Sequence, residues 1–160
     1  MNMIYQNDPS IQRFCPELWH YGCAVHSLAY YREKYMNKPW TAKELMDIWK
    51  LAISKKIITG DLNLDGDMDD IGECEIQDWN GLCGLLGLNL ECIPGHFSPI
   101  KILDPHCYSI CAWFNPNTKF THFVVGTSKP VEFDPIMGGS RTVREGAPKQ
   151  DGLRIFHMIS

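Results

Sequence analysis

Apolar residues recur every three to four positions in the first half of the chain and alternate with polar residues in much of the second half. The first pattern predicts a helix from about Gly22 to Tyr35. A capping box at Thr41–Glu44 opens a second predicted helix that extends to about Lys56. A third helix is expected from about Ile76 to Leu86, where Gly87 would end it.

The alternating pattern predicts strands in the second half, whereas residues 1–21 are expected to be irregular because Pro9 and Pro16 interrupt them. Helices that precede strands indicate an α+β fold, in which N-terminal helices pack on a C-terminal antiparallel sheet. The length suits a single domain spanning residues 1–160. The predicted strands are Leu90–Ile93, Tyr108–Phe114, Phe120–Val125, Val131–Asp134 and Leu153–Ile159.

Composition narrows the class of protein. Apolar residues make up 44% and charged residues 21% of the chain, and both values are typical of globular proteins. No apolar run approaches membrane-spanning length, and residues 1–8 lack the features of a signal peptide. The seven cysteines show no disulfide spacing, which predicts reduced thiols and a cytoplasmic location. A net charge of −4 gives no indication of nucleic-acid binding.

Cys23 lies in the first turn of the first predicted helix, directly after Gly22. Unpaired backbone N–H groups and the positive end of the helix dipole stabilise a thiolate at this position. A cysteine placed there is a poised nucleophile if a histidine reaches it. The alternative is a small buried apolar residue, since free cysteines are often buried. The motif alone leaves both interpretations open.

A predicted hairpin supplies a histidine and an aspartate. If the hairpin is symmetric about Ser128, His122 lies opposite Asp134 with Cβ atoms about 5 Å apart. The aspartate would then select one imidazole tautomer and leave the second ring nitrogen free. With Cys23 this would complete a set of nucleophile, base and orienting residue. The alternatives are a surface His–Asp pair without chemistry, or a register slip that turns His122 to the other face.

An acidic loop follows the second predicted helix. Residues 61–69 fit the first nine positions of a calcium loop, with Gly66 at the turn, and the loop joins two predicted helices. The twelfth position is Gly72 rather than glutamate, and Glu73 stands one residue later. A structural calcium site is therefore predicted, with a solvated acidic loop as the alternative. The candidate ligands are Asp61, Asn63, Asp65, Asp67 and Glu73, and Asp70 is a further candidate.

A zinc cluster is a second metal hypothesis, and it would consume the candidate nucleophile. Pro16 and the start of the predicted helix make tetrahedral convergence of its ligands awkward. The remaining cysteines are expected to be packing residues. The residues of this zinc hypothesis are Cys15, His20, Cys23 and His26.

Three short strings of the chain resemble papain-like cysteine peptidases: Tyr21-Gly22-Cys23, Thr121-His122-Phe123-Val124-Val125-Gly126 and Phe133-Asp134-Pro135. The nearest similarity is to the compact domains that cleave double-glycine leaders in bacteriocin exporters. Together with residues 61–67 and 138–146, these strings also resemble an uncharacterised family of phage and bacterial proteins. The first resemblance implies a papain-like fold. It also implies a Cys-His-Asp triad that cleaves peptide or amide bonds in a peptide or protein substrate, through a thioester and without a catalytic cofactor.

The resemblance also implies a glutamine a few residues before the cysteine, whose amide helps to hold the oxyanion. Glu17 stands at the usual distance, where its carboxylate would repel an oxyanion. The nearest upstream glutamine is Gln12, which is therefore the oxyanion candidate. This departure keeps a second interpretation open: a catalytically weak or inactive, calcium-stabilised papain-like module that binds proteins.

Overall fold

The protein adopts an α+β fold in a computed structural model, which describes residues 4–68, 72–127 and 131–159. N-terminal helices precede a C-terminal antiparallel sheet, as the sequence predicts. The helices are α1 (Pro9–Phe14), α2 (Pro16–Tyr21), α3 (Cys23–Met36), α4 (Ala42–Ser54), α5 (Trp79–Leu85) and α6 (Arg141–Glu145). The strands are β1 (Leu90–Cys92), β2 (Cys107–Asn115), β3 (Phe120–Val125) and β4 (Ala147–Met158).

Two short helices occupy most of residues 9–21, so the prediction of an irregular start is wrong for this part of the chain. Pro9 and Pro16 are the first residues of α1 and α2. Proline suits this position because its fixed φ matches the helix and its missing N–H would have no intrahelical partner there. Asp8 caps α1, since its carboxylate accepts a hydrogen bond from the backbone N–H of Ser10 at 2.8 Å.

Gly22 joins α2 to α3 and determines where Cys23 lies. A Cβ atom on this glycine would stand 2.3 Å from the carbonyl oxygen of Leu18, so a side chain does not fit here. The two helices therefore follow each other without a loop, and α3 begins at Cys23. Asn37, at a left-handed φ of 51°, ends the helix close to its predicted boundary.

Helices α4 and α5 are shorter than predicted. The hydroxyl oxygen of Thr41 accepts a hydrogen bond from the backbone N–H of Glu44 at 3.1 Å, as the capping motif predicts. The chain between the helices is different, because Ile58 and Ile76 pair in an isolated antiparallel bridge. The acidic loop is closed by this bridge and does not connect two helices directly. The helical context expected for a calcium loop is therefore wrong.

The sheet has the strand order β1-β4-β2-β3, and all its pairs are antiparallel. The strand predicted at Val131–Asp134 is reduced to an isolated bridge between Val125 and Phe133. The turn residues 128–130 lie outside the described part of the chain. Helix α6, which the sequence analysis missed, begins after Ser140, whose hydroxyl oxygen accepts a hydrogen bond from the N–H of Val143 at 3.2 Å.

Two apolar clusters hold these layers together. In the larger cluster, Val25 and Leu28 of α3 are packed with Ile110 and Val125 of the sheet. The smaller one contains the alternate sheet residues Cys111, Trp113, Val124, Leu153 and Ile155. The N-terminus of α3 consequently lies against β3, the edge strand of the sheet. Within the described ranges, no helix is long and apolar enough to cross a membrane.

Candidate active site

Three segments meet at the N-terminus of α3: the helix itself, strand β3 and the chain that follows Phe133. His122 is buried, with 6% of its surface exposed, and its Nε2 lies 2.7 Å from Oδ1 of Asp134. Cys23 is half-buried, lines the same cleft as His122, and is coupled to this imidazole, since each group shifts the pKa of the other. The structure therefore brings together the three residues that the sequence singled out.

The hairpin register differs from the predicted one, although its side-chain pair is formed. Symmetry about Ser128, a residue outside the described ranges, would place His122 directly opposite Asp134. The observed bridge instead pairs Val125 with Phe133. Asp134 therefore reaches His122 diagonally, which is within the range of side chains on one face of an antiparallel pair.

Backbone groups hold the carboxylate of Asp134 in place. Oδ1 accepts a hydrogen bond from the N–H of Ile136 at 3.0 Å, and Oδ2 accepts one from the N–H of Ser140 at 2.8 Å. Because Ser140 also caps α6, the start of this helix and the orientation of the carboxylate are coupled. The fixed carboxylate is hydrogen-bonded to Nε2 of His122, so Nδ1 is the ring nitrogen that remains for Cys23.

The backbone N–H groups of Phe123 and Ala24 also lower the pKa of Cys23. The first belongs to β3 and the second to α3. The hydroxyl of Ser27 donates to the carbonyl oxygen of Phe123 at 3.1 Å and ties the strand to the helix. Both backbone donors favour the anionic form of the sulfur.

The pKa values of the three groups are shifted in the directions that an ion pair requires. Burial raises the pKa of Cys23, but His122 and the backbone N–H groups of Phe123 and Ala24 together outweigh burial, so the net pKa lies below the ordinary value. Burial lowers the pKa of His122, but Asp134 and Cys23 raise it by more than burial lowers it, so the net pKa is about 9. For Asp134, burial is opposed by the bond to His122, and the pKa falls to about 2. The shifts of Cys23 and His122 therefore favour a thiolate beside an imidazolium over the two neutral groups.

Other cysteines have the opposite shift, although all seven are free thiols. In five of them burial is the main influence and raises the pKa. The lowered pKa of Cys23 therefore comes from its partners and not from burial. The five are Cys15 and Cys92, Cys74 and Cys83 at about 12, and Cys111 at about 11.

Two clefts meet at Cys23. The first, of about 370 Å³, is lined by Trp19, Phe120 and His122 among others. The second, of about 530 Å³, contains the aromatic residues Trp79 and Phe123 together with charged side chains. Cys23 lines both clefts, an arrangement that would let an extended chain pass on both sides of this residue.

The glutamine beside the site is Gln6 and not Gln12. Gln12 is exposed on α1 and does not line either cleft at Cys23. Gln6 is buried, lines the first cleft, and donates from Nε2 to the carbonyl oxygen of Trp19 at 2.9 Å. Its backbone N–H donates to the carbonyl oxygen of Pro135 at 2.8 Å. The sequence carries no local signal for Gln6, because helices α1 and α2 separate it from Cys23.

The carboxylate of Glu17 raises the pKa values of two other cysteines, Cys74 and Cys15. Burial is the main reason that the pKa of Cys74 is raised, and the charge of Glu17 raises it further. The same carboxylate adds to the effect of burial on the pKa of Cys15. Its charge is not among the influences on Cys23. The feature that weakened the peptidase interpretation at the sequence level therefore lies apart from the sulfur.

Carboxylates of the acidic loop interact with the loop's own backbone. Asp61 accepts hydrogen bonds from the N–H groups of Asp65 at 3.3 Å and Gly66 at 2.8 Å. Glu73, which is buried, accepts one from the N–H of Leu62 at 2.6 Å. These bonds organise the loop without bringing its carboxylates to one point.

The other calcium candidates give no further convergence. Asn63 and Asp67 are exposed, and Asp70 lies outside the described residues. Over residues 4–68, 72–127 and 131–159, no group of three or more His, Cys, Asp or Glu side chains is placed to hold a metal ion. The calcium site stays a prediction.

The residues of the zinc hypothesis are close in the sequence, but their side chains lie in different environments. His26 is buried, and its Nδ1 lies 3.3 Å from the carbonyl oxygen of Ile4. Burial lowers the pKa of His26 to about 4. His20 is exposed, with its ring centroid 5.4 Å from that of Phe120. The geometry therefore gives no support to this hypothesis.

When the chain is compared with protein-family models, with curated proteins and with solved structures, no match is found. Function must therefore be argued from the site itself. Its strongest feature is the connected set of Cys23, His122 and Asp134, with Gln6 beside it.

Proposed function

We propose that this protein is a papain-like cysteine peptidase, or a related thiol hydrolase of amide bonds. Cys23 is the nucleophile, His122 the general base and acid, and Asp134 the residue that orients the imidazole. The observation that carries the proposal is the His122 imidazole held between the Asp134 carboxylate, at 2.7 Å, and the Cys23 thiol, whose pKa is lowered. This combination activates a nucleophile and is not needed to stabilise a fold.

The reaction follows from the positions of the groups. The thiolate of Cys23 attacks the substrate carbonyl carbon and forms a C–S bond, which places negative charge on the carbonyl oxygen. The imidazolium of His122 donates its proton to the leaving amine as the C–N bond breaks, and a thioester remains. Water then attacks the thioester while His122 accepts a water proton. The C–S bond breaks, the carboxylic acid leaves, and the thiolate–imidazolium pair is restored.

Two donors are positioned to stabilise the oxyanion. One is the backbone N–H of Cys23, which as the first residue of α3 has no intrahelical acceptor. The other is the amide of Gln6, which lines the cleft shared by Cys23 and His122. One of its hydrogens is bonded to Trp19, which fixes the plane of the amide and leaves the second hydrogen for substrate.

The proposal is tested by limited alkylation with iodoacetamide at pH 7, followed by digestion and mass spectrometry of all seven cysteines. We expect Cys23 to be labelled first, because its pKa is lowered whereas burial raises those of Cys15 and Cys83. In His122→Ala, Cys23 loses its ion-pair partner and its labelling slows. Equal labelling of several thiols in the wild type would contradict an activated nucleophile.

Hydrolysis is measured separately, by incubating the protein with a pooled peptide library and sequencing the products. Cleavage that disappears in Cys23→Ala supports the peptidase. A fast-reacting Cys23 with no cleavage of any peptide would favour the second interpretation, a protein-binding module that keeps the site but has lost turnover.

A further inference from the structure

Arg154 lines the same cleft as Cys23, at the side formed by β4. Its guanidinium carbon lies 5.9 Å from the centre of the Phe123 ring. Phe123 lines this cleft together with Cys23, and its backbone N–H is one of the groups that lower the pKa of Cys23. Phe123 is therefore a neighbour of both this half-buried cation and the candidate nucleophile.

The described residues use little of the hydrogen-bonding capacity of Arg154. A guanidinium has five N–H donors, and here Nη1 donates to the carbonyl oxygen of Asp151 at 3.2 Å. Among the described residues, no carboxylate oxygen lies within 4.0 Å of this guanidinium. Glu73 and Glu75 line the same cleft without pairing with it. Burial lowers the pKa of Arg154, which reflects a partly desolvated charge.

Other arginines are placed differently. Arg141 forms an ion pair with Glu145, and Arg144 donates to the carbonyl oxygen of Gly139. Arg32 lies over the Trp40 ring and 4.0 Å from Glu44. Ordinarily a partly buried charge is paired, because desolvation is costly without a partner. Arg154 combines partial burial in a cleft with the lack of a carboxylate oxygen within 4.0 Å among the described residues; the charge of Asp151 acts on it from a greater distance.

We propose that Arg154 is a specificity-determining residue that binds a carboxylate of the peptide substrate, on one side of the bond that Cys23 attacks. The inference rests on the proposed peptidase function of that cysteine. Arginine presents a planar fork that binds a carboxylate through two parallel hydrogen bonds. Lys149 and His96, both exposed, line the same cleft and add positive or titratable character at its mouth. The carboxylate is that of an aspartate or glutamate side chain, or the C-terminus of the peptide.

The test compares cleavage of a pooled peptide library by the wild type, Arg154→Gln and Arg154→Lys. We expect an acidic residue to be enriched at one fixed position from the cleaved bond, or cleavage at a fixed distance from a free C-terminus. C-terminal amidation of the same library distinguishes the two sources. In Arg154→Gln the preference falls about tenfold to a hundredfold, the range for a hydrogen bond to a charged group. Arg154→Lys keeps the charge, loses the fork and retains part of the preference.

Arg13→Gln is the matched control, because it removes the same charge from an exposed site on α1. We expect it to leave the preference unchanged. Cleavage by the wild type with no preference for a carboxylate overturns the role of Arg154 and leaves the peptidase proposal intact. This comparison needs no variant, so it decides the matter even if Arg154→Gln does not fold.

Binding separates the two proposals if no cleavage is seen. Fluorescent peptides that contain glutamate, and the same peptides with glutamine, are titrated against Cys23→Ala. Tighter binding of the glutamate peptides, lost in Cys23→Ala/Arg154→Gln, supports the carboxylate site and shows that turnover is what fails. Equal binding of both peptide sets overturns the carboxylate site.

Discussion

The Cys23 site and the acidic loop both stand out in the sequence, but their side chains are used differently. At the Cys23 site, residues from α3, β3 and the segment after Phe133 direct their side chains at one another. In the acidic loop, the residues are close in sequence, and carboxylates such as Asp61 accept hydrogen bonds from the loop's own backbone. Among the described residues of the loop, proximity in the chain is not accompanied by a group of side chains placed to hold a metal ion.

The difference shows what distinguishes a built site from a local pattern. An Asp-rich loop satisfies its carboxylates with neighbouring N–H groups, which the turn geometry of short polar residues favours. A buried imidazole between a thiol and a carboxylate has no such local solution. It is stable only because backbone donors, such as the N–H groups of Ile136 and Ser140, hold the carboxylate in position.

Apart from substitutions of Cys23, His122 or Asp134 themselves, we expect the largest loss of activity from a substitution of Gln6. Gln6→Ala should lower kcat/KM for peptide cleavage by about 100- to 1000-fold, the usual loss for one oxyanion donor. Alkylation of Cys23 by iodoacetamide forms no oxyanion, so its rate should change little. Gln12→Ala is the matched control, since Gln12 is exposed and lines neither cleft. A parallel loss of alkylation and cleavage would assign Gln6 a structural role instead.

The pH dependence of cleavage tests whether the three side chains of the Cys23 site act together. As the pH falls through the lowered pKa of Cys23, the thiolate is protonated and activity is lost. As the pH rises through about 9, His122 loses the proton that it gives to the leaving amine, and activity is lost again. Because Asp134 helps to raise the pKa of His122, Asp134→Asn should move the upper limb down by about one to two pH units. The measurement is kcat/KM from pH 5 to pH 10.

Asparagine is the substitution closest in shape; it removes the charge and keeps one acceptor oxygen, while its NH2 group replaces the second oxygen and cannot accept a hydrogen bond. An unchanged upper limb in Asp134→Asn would show that the carboxylate does not set the titration of the imidazole. The thermal midpoint of each variant checks that the fold is retained.

The smallest effect is expected at the acidic loop. If the loop holds calcium as its sequence predicts, a chelator lowers the melting temperature and calcium restores it. At 100 times Kd the stabilisation is about 2.7 kcal/mol, a shift of roughly 5–10 °C for a chain of this size. Asp61→Asn should reduce the shift, whereas Glu75→Gln, outside the candidate set, should not. No response to either reagent would identify the region as a solvated loop.

The sequence by itself determined the local features of the site. The glycine before Cys23 marks the start of α3, and the alternation around His122 marks β3; both elements form as predicted. The order of helices and strands likewise indicated the α+β class. These predictions succeed because they depend on spacing and on neighbouring residues, which the linear pattern contains.

Only the tertiary structure decided how distant segments meet. It brought Gln6, rather than Gln12, to Cys23, because α1 and α2 fold the N-terminus back across the cleft. It set the hairpin register through the bridge between Val125 and Phe133, and it placed Arg154 of β4 in a cleft that Cys23 also lines. Contacts of this kind depend on packing between elements that are far apart in the chain. The same packing buries Cys23 and His122 and supplies the neighbouring groups that shift their pKa values against the effect of burial.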